Sequence, residues 1–169
     1  CDHIGTVHLH QVGLHEEAEK YDSRSKRALN LMISRFWNGE RFVGYTCGDH
    51  RLIDTKSIMF YRPLVLGSRL PKEILDKMVE DLSVEGRYLT PYGLLSVQMN
   101  SIDYNKASFG NAGVSASENM LILTGLYEAG YRNFAKEVAK RFCDGMKMGG
   151  SRYYGVQGGF VGSWGAAGF

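Results

Sequence analysis

Along the first third of the chain, hydrophobic residues return at intervals that only a helix uses. Between Leu14 and Trp37 the apolar positions Ala18, Tyr21, Ala28, Met32 and Phe36 are separated by sums of three and four, and Leu29 and Ile33 widen the stripe. Glu16, Glu17, Glu19, Lys20, Arg24, Lys26 and Arg27 take the other face, so the segment predicts a one-faced amphipathic helix. Asn38-Gly39 ends it, because both residues tolerate the left-handed backbone of a helix stop. A short extended piece over Arg41–Tyr45 is expected next.

The following segment is patterned differently. Asp54 is a candidate cap for a helix over Thr55–Leu66, and Gly67 stops it. Its apolar residues Ile58, Met59, Phe60, Tyr61, Leu64, Val65 and Leu66 cover most of the circumference, which predicts burial on more than one side. Pro71 suits the first turn of another helix, in which Ile74, Leu75, Met78, Val79 and Leu82 form one inward stripe. The pair then repeats. Ser115 or Ser117 can cap a helix that is apolar all round through Met120–Leu123 and ends at Gly130. A one-faced helix follows, with Tyr131, Phe134, Ala135, Val138, Ala139, Phe142 and Met146 inward, and Phe160–Phe169 reads as the approach to a further inner helix.

Fully apolar helices alternating with one-faced helices imply two concentric layers, an all-α ring of helical hairpins. A solenoid would satisfy the same burial, but no self-similarity recurs at a fixed period. The long connections Ser83–Ala112 and Gly145–Trp164 both precede an inner helix. They are therefore expected at the same end, converging over the inner layer where a pocket would be built.

Composition narrows the class without naming a chemistry. Apolar residues at 44% and charged residues at 22% exclude a disordered chain. A net charge of +2 is too mild to argue for nucleic acid or an anionic membrane surface, and no apolar run is long enough for a bilayer span. Cys1, Cys47 and Cys143 show neither a disulfide framework nor zinc-ribbon spacing. A first-position cysteine fits a processed chain, such as a lipoprotein, or a piece of something longer, so a periplasmic, secreted or lipid-anchored protein is possible on this reading. Nine of the 24 residues from Gly145 to Gly168 are glycine, interleaved with aromatics, as expected where backbone turns sharply or approaches a ligand. His3, His8, His10 and His15 raise a metal reading, since His8 and His10 would point the same way on a strand. With only Asp2 as a partner at ligand-like spacing, an ordinary polar loop and no metal are expected. No phosphate-binding loop or nucleophile elbow is present, and no cofactor is expected.

Several stretches nevertheless resemble one family. Phe36-Trp37-Asn38 with Gly39–Tyr45, Asp54 with Pro63-Leu64, and Thr90-Pro91-Tyr92-Gly93-Leu94 come in order. They are followed by Glu118-Asn119-Met120 running through Thr124-Gly125-Leu126 to Gly130-Tyr131. Gly149-Gly150, Gly159-Phe160 and Ser163-Trp164-Gly165-Ala166-Ala167 complete the series. In order and spacing this resembles the six-hairpin (α/α)6 glycosidases, in particular the glycogen-debranching, trehalase and processing α-glucosidase group. The resemblance implies that residues 1–169 form a single domain, about half of an (α/α)6 barrel, as the C-terminal part of a larger catalytic domain. The remainder of the barrel is then a required partner.

It also implies hydrolysis of an oligosaccharide, with an α-linkage expected, by inversion. One carboxylic acid protonates the leaving oxygen and a separate carboxylate activates water. The family's acid, an aspartate, lies upstream of this segment. Its base is a glutamate in a tyrosine-containing stretch that corresponds here to Ser151–Gly155, where Arg152 or its neighbour stands in its place. Arginine accepts no proton at neutral pH. The tryptophan-rich sugar loop is likewise changed, to Phe109–Ser115. Glu118 is the nearest substitute catalytic carboxylate, though a first-turn acid favoured by the helix dipole would look the same. Tyr92, Tyr154 and Trp164 could offer faces to a sugar, and Asn119 and Arg152 planar polar contacts. The same aromatics could equally be core or loop staples. Two other functions remain open: a carbohydrate-binding protein that kept the ring but lost the base, and a helical scaffold.

Overall fold

The structure, a computed structural model, describes residues 2–104 and 113–149. It divides into two compact units, the first ending at Val43 and the second beginning at Gly44.

The first unit is a helical hairpin, α1 (Asp2–Gln11) packed on α2 (His15–Phe36). The sequence reading took the histidine-bearing start as a strand or polar loop; it is a helix, so His8 and His10 point about 200° apart rather than together. The turn closes as a helix stop. Gly13 sits at φ 81°, its N–H bonds the His10 carbonyl, and the Leu14 N–H reaches back to Leu9 at 2.9 Å. Helix α2 matches the predicted span within a residue at each end. Asn38 then turns the chain, its side-chain oxygen accepting from the Glu40 and Arg41 N–H groups, with Gly39 at φ 99°. The return brings Phe42 opposite Trp37, their rings edge to face at 5.2 Å.

The second unit opens with a short antiparallel pair, β1 (Gly44–Tyr45) and β2 (Leu52–Ile53). The element predicted as an α-helix over Thr55–Leu66 is instead a 3-10 helix, Ile58–Arg69, interrupted at Gly67. Its cap is Ser57, whose hydroxyl accepts from the Met59 N–H at 3.3 Å, and not Asp54. At three residues per turn every third side chain eclipses the last. Ile58, Tyr61, Leu64, Gly67 and Leu70 are accordingly buried at strict intervals of three, while Met59, Arg62, Val65 and Ser68 are exposed at the same interval. Burial is thus on one main face rather than all round. A nearly unbroken apolar run carries no hydropathy contrast from which that period could be read.

Helix α3 (Lys72–Leu82) buries Ile74, Leu75, Met78 and Leu82, as its stripe predicts. A hairpin, β3 (Leu89–Thr90) with β4 (Gly93–Leu94), lies inside what the sequence suggested was a structureless connection. Helix α4 (Ala116–Glu128) then forms a second helical hairpin with α5 (Arg132–Gly149). Gly130 at φ 98° closes its turn by the same bonds as Gly13 does in the first unit: Gly130 N–H to Tyr127, Tyr131 N–H to Leu126. Helix α5 runs on through Gly149, past the point where the loop was expected to begin.

The 3-10 helix and α4 are the inner elements of this unit, and they pack directly on each other. Three contacts fix their relative direction. Arg62 meets Glu118, Leu64 and Val65 meet Gly125, and Gly67 meets Glu128. Numbers rise together, so the helices run parallel and both begin at one end. The approach at Gly125 is backbone against backbone: a Cβ there would lie 1.8 Å from the Leu64 carbonyl oxygen. Met120 is 71% exposed, and Met59, Val65, Leu121 and Tyr127 are exposed as well. No described helix is long and apolar enough to cross a membrane.

Gly125→Ala is expected to destabilise the protein by about 3 kcal/mol or more, because neither helix backbone can move without repacking the layer. Urea unfolding measures it; a loss within about 0.5 kcal/mol, the range of ordinary surface changes, would refute the close approach.

Candidate active site

Parallel inner helices bring their N-terminal ends together, and one segment crosses both. The Ile58 N–H donates to the Ser96 carbonyl at 2.8 Å, and the Gln98 N–H to Lys56 at 3.0 Å. On the other side, the Ser96 N–H and hydroxyl both donate to the Gly113 carbonyl, at 2.8 and 2.7 Å. Leu94–Gln98 therefore ties the start of the 3-10 helix to the approach of α4, and supplies an acceptor for an N–H that a helix start leaves unpaired. The convergence expected of the Ser83–Ala112 connection is realised by these five residues.

Asn119 holds the hairpin in place. Its side-chain oxygen accepts from the Leu94 N–H at 2.9 Å, and its amide donates to the Leu94 and Ser115 carbonyls, both at 2.9 Å. Leu94 pairs with Leu89 across the hairpin, and on its other side the Asn119 amide stands where a third strand would. At 2% exposure, with both amide hydrogens engaged by backbone, Asn119 is a clamp rather than a free sugar contact. Gly93, at φ 118°, makes room for it, since a Cβ there would come within 3.1 Å of the Asn119 oxygen.

Tyr92, on the tip of the same hairpin, is half-buried. Its ring lies against Gly145 of α5, 3.0 Å from where a Cβ would be, in a cluster with Leu95, Val114, Tyr104, Phe142 and Met146. That is the packing of a staple. Arg152, Tyr154 and Trp164 lie outside the described residues.

Glu118 sits in the first turn of α4, its side chain 12% exposed, under the Ser115 cap. It is not a spare carboxylate. Arg62 reaches across from the 3-10 helix and binds it through two N–H groups, Nε to Oε2 at 2.9 Å and Nη2 to Oε1. This fork is the strong bidentate form of a charged hydrogen bond, and it holds the guanidinium pKa above its ordinary value. The fork takes one lone pair of each Glu118 oxygen and matches the carboxylate charge with that of the guanidinium. What remains available is the Nη1 donors of Arg62, which have no partner among the described residues, and further lone pairs on both Glu118 oxygens. A planar donor beside a planar acceptor suits the vicinal hydroxyls of a sugar.

Sequence reasoning missed Arg62. The available signal was a lone cation inside the apolar run Ile58–Leu66. It also missed Asp103, half-buried at the same end, whose carboxylate accepts from the Thr55 hydroxyl at 3.0 Å. Two open clefts lie elsewhere. One is between α4 and α5, lined by Leu123, Tyr127 and Lys136; the other, lined by Ser68, Lys72 and Tyr131, is at the opposite end of the inner helices. Among the described residues no three or more His, Cys, Asp or Glu side chains gather as metal ligands.

Comparison with known proteins places this geometry. The family model for the mannosylglycerate hydrolase MGH1-like glycoside hydrolase domain matches residues 9–156. A crystal structure of a family 63 mannosylglycerate hydrolase from Thermus thermophilus, in complex with glucose, superposes with a TM-score of 0.64 at 15% identity. It covers 79% of this chain and 33% of that one. The neutral trehalase of Saccharomyces cerevisiae gives 0.61 at 16% identity, over 82% of this chain and 26% of the trehalase. No curated protein sequence matches. These likenesses show the fold, that of the (α/α)6 toroid, and the chain spans about a third and a quarter of the two structures' lengths.

Asn119→Ala is expected to cost about 2–4 kcal/mol, since it strands the N–H and carbonyl of fully buried Leu94. Asn119→Asp should do no better, because a carboxylate cannot donate to either carbonyl. Denaturant unfolding of both variants checks this; wild-type stability in the alanine variant would show that the clamp is dispensable.

Proposed function

The chain belongs to the mannosylglycerate hydrolase MGH1-like glycoside hydrolase family, and on that premise we propose that it forms part of an (α/α)6 catalytic domain hydrolysing an α-linked oligosaccharide with inversion. The observation that carries this reading is the family match over residues 9–156. In this reading residues 1–169 are the C-terminal part of that domain. The exposed apolar faces at Met59, Val65, Met120, Leu121 and Tyr127 await the remaining inner helices, because leaving them in water forfeits the burial that drives packing.

The saccharide is read as entering at the shared N-terminal end of the inner helices. Backbone dipoles there favour electron-rich groups, and the Arg62–Glu118 pair offers donors and acceptors side by side. The acid that protonates the leaving oxygen and the base that deprotonates water must be carboxyl groups far enough apart to admit that water. Glu118, engaged by Arg62, serves in this reading as a substrate-hydroxyl acceptor and not as the base. Tyr154, Trp164 and Arg152 stay candidates for the sugar's remaining contacts.

Two observations favour a second reading. Both the arginine in the Ser151–Gly155 stretch and the pairing of Glu118 remove an evident base, as expected of a carbohydrate-binding relative without turnover.

A panel of aryl and natural glycosides, assayed with the full-length protein, separates the two. Hydrolysis is expected, with the first-formed sugar of inverted anomeric configuration by proton NMR. Glu118→Gln should lower kcat/KM about 10–100-fold, mainly through KM, as for loss of a charged hydrogen bond. A kcat lowered about 10⁴-fold with KM unchanged would make Glu118 catalytic itself. Calorimetric saccharide binding without turnover on any glycoside would leave the binding protein.

A further inference from the structure

Two histidines face each other across the turn between α1 and α2. The His10 and His15 Nδ1 atoms are 3.1 Å apart, with the rings 5.4 Å between centroids and tilted by 42°. Both side chains are exposed, and among the described residues each has only the other as a polar partner. Two ring nitrogens this close cannot both present lone pairs to each other without something electropositive between them. A shared proton is one solution. A metal cation is the other.

We propose that His10 and His15 form a two-point site for a first-row divalent cation of the zinc, nickel or copper class. Imidazole nitrogens bind such ions at ~2.0–2.1 Å, so a 3.1 Å separation subtends roughly 95–100° at the metal. That lies between the cis angle of a tetragonal ion and the angle of a tetrahedral one. The turn presets the pair. His10 is in the last turn of α1 and its carbonyl accepts the Gly13 N–H, Leu14 bonds back to Leu9, and His15 opens α2 directly after. The two ligands are therefore held together before metal arrives, which lowers the ordering cost of binding. The two helix ends oppose each other, since the carbonyl end of α1 favours a cation and the N–H end of α2 does not, and Glu16 and Glu17 in the first turn of α2 add negative charge nearby. With two protein ligands, the remaining coordination positions go to water. Hard ions such as magnesium, which prefer oxygen ligands, are excluded by the donor set.

Isothermal titration of the full-length protein with zinc chloride at about pH 7.5, with circular dichroism to confirm folding of each variant, tests the site. One ion should bind per chain. His10→Ala and His15→Ala should each weaken binding by about tenfold or more, the least expected when even an outer-shell partner matters by that much. His8→Ala should leave binding unchanged, and magnesium should give no heat. No zinc heat in the wild type would mean that the pair holds only a proton, and equal binding in either folded His10 or His15 variant would place the metal elsewhere; both results overturn the proposal.

Discussion

The close approach of two backbones at Gly125 is the constraint on which the second unit depends. With no side chain between them, the Leu64 carbonyl lies where a β-carbon of residue 125 would stand. Because the helices touch here and run parallel, their starts share one end. Ser57 and Ser115, the two caps, therefore belong to a common rim, and Leu94–Gln98 can bond to both sides of it. Any residue bulkier than glycine at 125 would separate the helices, and with them Arg62 from Glu118.

The rim shows how polar groups are used where helices begin. Unpaired N–H groups need acceptors: the Ser96 carbonyl takes that of Ile58, and the Ser57 and Ser115 hydroxyls take those of Met59 and Glu118. Asn119 does for Leu94 what a neighbouring strand would do, so a hairpin of only two residue pairs is held at the site. Arg62 and Glu118 add a charged element that spans both helices. In the proposed function, its bidentate geometry offers sugar hydroxyls donors and acceptors side by side.

Helices with one wet face were legible in the sequence, because contrast between apolar and polar positions reveals a period. Helices α3 and α5 follow their stripes, whereas α2 buries Ala18 and Ser25 and leaves Tyr21, Ala28 and Phe36 of its predicted stripe exposed; the stops at Asn38-Gly39 and Gly130 stand where they were expected. Of the inner elements, α4 was legible in its Ser115 cap and its stop at Gly130, and the 3-10 helix only in being apolar. Ile58–Leu66 offers no contrast, so its three-residue period and the role of Arg62 inside it appear only in three dimensions. The family resemblance, drawn from the order of several loose motifs, agrees with the match over residues 9–156 and with the toroidal fold of the structures. At the site, the Thr90–Leu94 motif was noticed for Tyr92 as a sugar face. The structure instead shows its polar logic, with Thr90, Gly93 and Leu94 fitting the hairpin to Asn119. That logic rests on pairings 25 residues apart, which spacing along the chain does not encode.

The proposed function requires a saccharide to be held at the shared N-terminal end of the two inner helices. A crystal structure of the full-length protein soaked with the oligosaccharide it turns over or binds locates it directly. Sugar hydroxyls within hydrogen-bonding distance of Arg62 or Glu118, at the end marked by Ser57 and Ser115, are the predicted result. A saccharide lodged instead at the opposite end, against Ser68, Lys72 and Tyr131, would contradict it.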